Sequence, residues 1–250
     1  MRRIYRVGLI ALLPINVWAI PADPLNSVQW TTMYNRFLKD YPVQFDSRVQ
    51  VLAPEQAENS MQVPLAVKVE GLQAIEEILI FADFNPLPKV LTFYPQQALP
   101  FIGFRIKLQQ ASPIRAAVRI ADGWHVGGKW VDAAGGGCTL PSAARNSGLW
   151  ESQLGQVQGR IWQQPSAQRV RFRVIHPMDT GLAAGIPKFH LEQINLQDAT
   201  GKTLAQINPA EPVSENPIFS IEFPKNLPLP MLHISGRDNN ANKINAELIP

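Results

Sequence analysis

The sequence predicts an all-β protein made of two β-sandwich modules, with a short N-terminal helix and a glycine-rich arm between the modules. Three observations carry this. Apolar residues recur with period two in many short runs, the pattern of strands buried on one face. Proline (22) and glycine (16) are scattered along the chain, which suits short strands between turns and works against long helices. One stretch, "DAAGGGCTLPSAARNSG" at residues 132–148, has no periodicity at all and reads as a linker. The full 250 residues leave about 100 for each module, enough for a core of its own.

Taken in order, residues 1–19, "MRRIYRVGLIALLPINVWA", have the layout of a secretory signal peptide. Arg2, Arg3 and Arg6 precede an apolar stretch over residues 7–17, and Ala19 stands at a small-residue cleavage position. Asp23 and Pro24 then suit an N-cap and first helical residue. Val28, Met33, Tyr34, Phe37, Leu38 and Tyr41 follow near helical spacing and predict one amphipathic helix ending at Pro42. From there the period is two. "VPLAVKVE", "EILIFAD", "FIGFRIKL", "IRAAVRIADG" and "WHVGGKWVDA" are the strands of a first module over residues 24–132. In "FIGFRIKL", Arg105 and Lys107 fall on the face opposite Ile102, Phe104, Ile106 and Leu108. The arm spans residues 133–149. A second module over residues 150–250 contains "RVRFRVI", a hairpin in "FHLEQINLQDATGKTLAQIN", then "NPIFSIEF", and two strands around an Asp-Asn-Asn turn in "PMLHISGRDNNANKINAEL".

The formal net charge is +3. Loss of the three leader arginines would balance the remaining basic residues against the 20 acidic ones. Nothing in that balance points to nucleic acid, or to a membrane once the leader is cleaved.

The arm holds the chain's single cysteine, Cys138. A lone thiol in an exported chain is either a reactive group or a small buried hydrophobe. Gly135, Gly136 and Gly137 offer no neighbouring side chain to pack around it and give the backbone wide freedom. Five extended residues from position 133 to 137 would reach roughly 16–18 Å. The expectation is therefore an exposed thiol on a pliable tether, handed into a partner's active site. No His or Lys adjoins Cys138 in sequence, so activation is expected from the partner.

Several stretches resemble a known family. "ENSMQVPLAVKVE" (residues 58–70), "IFADFNPLPKVLTFY" (80–94) and "GGGC" (135–138) are similar to SoxY, the sulfur-carrying subunit of periplasmic thiosulfate oxidation. "HPMDTG" (176–181), "FHLEQI" (189–194) and "VSENPIFSIEF" (213–223) resemble its companion SoxZ. The resemblance implies two immunoglobulin-like β-sandwich domains packed together, a periplasmic location, and Cys138 as the covalent attachment point for an intermediate. In SoxY the cysteine lies in a terminal Gly-Gly-Cys-Gly-Gly tail. Here Thr139, Leu140 and Pro141 follow it, so the arm is held at both ends. The fused form is similar to SoxYZ-like carriers associated with PQQ-dependent quinoprotein dehydrogenases, which implies as partners either Sox-type oxidoreductases or such a dehydrogenase with its cytochrome. The cargo is then a sulfur species or another electrophile.

Other residues invite other readings. His176, Met178 and Asp179 in "HPMDTG" contain donors for copper or zinc and suggest a non-covalent copper-delivery module as the alternative. Pro177 and the extended chain before it favour a strand-to-turn exit that shapes the module interface. His125, His190 and His233 read as structural strand residues, with His125 a distant candidate base for Cys138. Trp124 and Trp130 read as packing for the last strand of the first module. No Ser-His-Asp order, P-loop or paired cysteines occur, so the sequence supports a carrier without its own cofactor rather than an enzyme.

Overall fold

The computed structural model describes residues 18–143 and 150–250. The expected signal peptide, apart from its last two residues, and positions 144–149 of the arm lie outside them. The expected helix is shorter than its periodicity suggests: α1 covers Trp30–Phe37. The Asp23 carboxylate accepts the amides of Leu25 and Ser27 and closes a turn over Pro24, so Asp23 caps a turn and not the helix. Val28 is 86% exposed as a result. Trp30, Met33, Tyr34 and Leu38 do bury, forming a separate small core with Leu79, Phe81, Ala117, Trp124 and Val126. Arg115, fully buried, bridges Asp23 and Asp83 beneath the Trp30 ring and ties this N-terminal segment to the sheet.

The first half continues with β1 (Val43–Phe45), β2 (Val49–Leu52), β3 (Gln56–Ala57), β4 (Val63–Val69), β5 (Glu77–Ala82), β6 (Lys89–Tyr94), β7 (Phe101–Ile106), β8 (Ser112–Ile120) and β9 (Gly123–Ala133). After the arm come α2 (Trp150–Gln153), β10 (Val157–Gln163), β11 (Ala167–Val174), β12 (Leu191–Gln197), β13 (Thr203–Pro209), β14 (Ile218–Pro224), β15 (Leu232–Asp238) and β16 (Lys243–Leu248). The protein is all-β, as expected, with two short helices among the described residues.

The two halves are not separate layers. One ten-stranded sheet runs β1-β9-β8-β5-β6-β13-β12-β15-β16, with β3 pairing β9 off this path. A six-stranded sheet runs β10-β11-β14-β7-β4-β2. Both cross from one half to the other: β6 pairs β13 through Phe93 and Ile207, and β7 pairs β14 through Ile102 and Ile221. The inward residues of both sheets form one continuous core, from Val67 and Phe104 in the first half to Phe172 and Leu232 in the second. The period-two pattern of β4 reads out in its burial, with Val63, Leu65, Val67 and Val69 inside and Pro64 and Lys68 outside.

Candidate functional site

The arm leaves β9 and lies down on the seam between the two halves. Ser60, just before β4, donates its hydroxyl to the Gly135 carbonyl at 2.8 Å. The amides of Gly136 and Gly137 donate to the carbonyls of Gln109 and Leu108, both at 3.0 Å. The Cys138 amide donates to Gln109 Oε1, and the Thr180 hydroxyl donates to the Cys138 carbonyl at 2.6 Å. Cys138 itself has 0% exposure, and its Sγ points at the Lys107 carbonyl, 3.6 Å away.

This corrects the expectation of an exposed thiol on a mobile tether. The glycines supply no packing, but the rest of the fold does, through residues far away in sequence. Their smallness serves a close approach. A Cβ at Gly137 would sit against the Ser60 carbonyl oxygen and 2.6 Å from that of Leu108, too near for any side chain. Gly136 has open space around it and needs glycine for its backbone, at φ +81°.

Lys107 is the residue the sequence hid. Its place in the alternating pattern of "FIGFRIKL" assigned it to the solvent face, yet it is 1% exposed. It lies one residue beyond β7, where the chain turns under the second half and the Lys107 amide pairs with the Pro212 carbonyl. Its ammonium donates to the Met178 carbonyl. Burial pushes its pKa down, while Asp179, Cys138 and Glu215 favour the charged form.

"HPMDTG" contacts the arm site with three consecutive residues. Met178 receives Lys107, Asp179 Oδ1 accepts the Ser142 amide at 3.3 Å, and Thr180 holds Cys138. Ser142, where the arm leaves the site, also donates its hydroxyl to Glu215 from "VSENPIF". The expectation that this motif shapes the interface between halves therefore describes its geometry well. Met178 adopts φ +52°, a strained value for a non-glycine residue, and its sulfur accepts the Leu191 amide at 3.4 Å.

The metal donors do not converge. His176 Nδ1 accepts the Met178 amide at 3.0 Å, and the Met178 sulfur is engaged elsewhere. Among the described residues no group of three or more His, Cys, Asp or Glu could hold a metal ion. The His176 ring lies against Phe189 with Nε2 3.4 Å from Asp238. Burial dominates there and pushes its pKa down to about 4. His190 is shifted the same way by burial. His125 is held by Asp46 on Nδ1 and by Asp122 and Gln44 on Nε2, so no ring nitrogen is turned to the arm. His233 bonds Gln197 and Asn245. Trp124 is a packing residue as expected, buried in the small core with α1, whereas Trp130 is 39% exposed and donates to the Leu25 carbonyl.

Chemically, the site stores a thiol in its unreactive form. Desolvation raises the Cys138 pKa to about 11, with the Lys107 charge pulling the other way. At neutral pH the docked group is a thiol and not a nucleophilic thiolate.

The comparisons with known proteins fall on the first half and the arm. The family model described as "Sulfur oxidation protein SoxY" matches residues 34–138, a span that ends on Cys138. Among solved structures, the sulfur carrier protein SoxY from Chlorobium limicola f thiosulfatophilum is similar at 24% identity over 41% of this chain and 88% of that chain, with a TM-score of 0.35. No curated protein matches the chain.

Proposed function

We propose that the protein is a covalent carrier in sulfur oxidation or a related oxidation pathway, with Cys138 as the attachment point, and that it is not itself an enzyme. One observation carries the reading: the SoxY family match runs through the arm and stops on the chain's only cysteine. The geometry adds a resting state. The thiol is held protonated in the seam, and the arm must lift from Ser60, Leu108, Gln109 and Thr180 before Sγ meets any cargo.

Once lifted, Cys138 regains the pKa of an ordinary thiol, about 8.5, and its thiolate becomes available. Attack of that thiolate on a sulfur–sulfur bond of an incoming cargo forms a new S–S bond to Cys138 and expels the other sulfur as its anion. The exchange is electron-balanced and needs no added oxidant. Release reverses it, or proceeds by attack of a partner's nucleophile on the attached group. A carbonyl electrophile would load by addition of the same thiolate, the C=O π pair passing to the oxygen, which takes up a proton, so that no group leaves and no oxidant is needed.

The finer parts of the reading follow from the sequence. The resemblance of residues 150–250 to SoxZ supports a fused carrier, the leader supports a periplasmic location, and the partners are Sox-type oxidoreductases or a PQQ-dependent dehydrogenase with its cytochrome. Intact-mass analysis of the protein isolated from its native source tests the proposal. An adduct that maps to the Cys138 peptide and is absent from Cys138→Ser supports it. An adduct-free Cys138 in protein taken from cells actively oxidising substrate would contradict it.

A further inference from the structure

The outer face of the six-stranded sheet has a charge pattern that folding alone does not favour. On β11, Arg169, Arg171 and Arg173 alternate outward while Val170, Phe172 and Val174 point into the core. The register then sets Arg160 of β10 directly opposite Arg171. Like charges opposed across a strand pair destabilise the sheet. Arg169 is relieved by Glu222 across the pair to β14, and Arg173 donates to the neutral Gln158. Arg160, Arg171 and Arg105 have no carboxylate partner among the described residues, and all three are exposed.

The surface between them is shaped. Arg171 lies opposite Ser220, and Ser220 opposite Gly103, so the row descends from long side chains to small ones. Two adjoining hollows of about 460 and 230 Å³ result, and Arg171 and Ile218 line both. Trp162, 41% exposed, stands beside Arg160 and Arg171 on the wall of the larger one. A small-anion site would be enclosed. This face is broad and open, and arginine around a tryptophan is the composition of protein interface hot spots. The charge is local, since the chain as a whole carries only +3.

We propose that this face, with Arg160, Arg171 and Arg173 around Trp162 and Arg105 on the adjoining hollow, docks an acidic surface of a partner protein. Its position suits the carrier reading without depending on it. Arg105 lies two residues before Lys107, whose carbonyl faces Cys138 Sγ, so one end of this face is on the strand that leads into the arm site. The partner is recognised by carboxylates that replace those missing on the sheet, which steers association and sets orientation.

Poly-glutamate peptide serves as the probe, with binding followed by calorimetry and tryptophan fluorescence in wild type, Arg160→Gln/Arg171→Gln, and the control Lys202→Gln/Lys243→Gln. The proposal predicts binding that weakens with salt and falls at least about tenfold in the arginine variant but not in the lysine control. Thermal stability of the arginine variant should hold or rise, because a like-charge pair is removed. Equal loss in both variants, or none in either, would overturn it. So would tighter binding of phosphatidylglycerol vesicles or of single-stranded DNA than of poly-glutamate. Binding should be the same in Cys138→Ser, so loss of the carrier reading and loss of the docking face give different results.

Discussion

At Cys138 two opposing influences meet on one sulfur. Burial raises its pKa to about 11, and the Lys107 ammonium, buried beside it, works to lower it. Burial lowers the pKa of that lysine in turn, while Asp179 and Glu215, reaching the site from two loops of the second half, favour its charged form. None of this is visible in the sequence, where Lys107 follows an alternating pattern like any solvent-facing residue and Cys138 has only glycines before it. The thiol itself was legible as a candidate because it is single and lies in a linker; its surroundings come from tertiary contacts. His176 gives a residue-scale test. Its folded pKa is depressed to about 4, so it contributes stability that is complete above the unfolded value of about 6.5 and lost as pH falls through about 4. Its neighbours Asp238, Asp179 and His190 shape that shift, burial being the largest cause. Urea midpoints measured down through this window should decline in wild type, and the decline should be shallower in His176→Gln. An unchanged slope in the variant would assign the acid sensitivity elsewhere.

At the scale of elements, the arm is held by glycines with different duties. Gly137 is glycine for space, since a methyl group there meets two carbonyl oxygens, whereas Gly136 is glycine for its φ of +81°. Gly137→Ala should therefore lift the arm and cost about 1–3 kcal/mol. Gly136→Ala should cost about 1 kcal/mol through backbone strain while leaving the arm docked. Thermal melts combined with amide exchange of residues 136–138 separate the two; identical exchange in both variants would contradict the assignment. Strands with clean alternation, such as β4 and β11, were legible because one face of each meets the core. β10 carries little alternating signal, since Val157, Gly159 and Ile161 form a weak apolar face beside Arg160 and Trp162. Helical spacing extends to Val28 although the helix does not, because spacing alone cannot show that Asp23 closes a turn instead.

Over the whole molecule, two modules read from two runs of strands turn out to share both sheets and one core. Pairing of β6 with β13 and of β7 with β14 leaves neither half with a free sheet edge at the seam. Sequence periodicity reports which face of a strand is buried and not which strand lies beside it, so this continuity was out of reach. Unfolding should be a single cooperative transition with equal calorimetric and van't Hoff enthalpies; two resolved transitions would mean that the halves behave independently. The same seam stores the thiol, which makes reactivity of Cys138 a property of the entire assembly. The most direct test of that storage is the pH dependence of Cys138 alkylation in the intact protein. The account predicts a rate that keeps climbing beyond the ordinary thiol value of about 8.5 and flattens only towards about 11 in wild type, with flattening near the ordinary value in Gly137→Ala. A wild-type rate that levels near about 8.5 would show a thiol exposed at rest, and a Cys138 that resists labelling even in Gly137→Ala would show one that is never released.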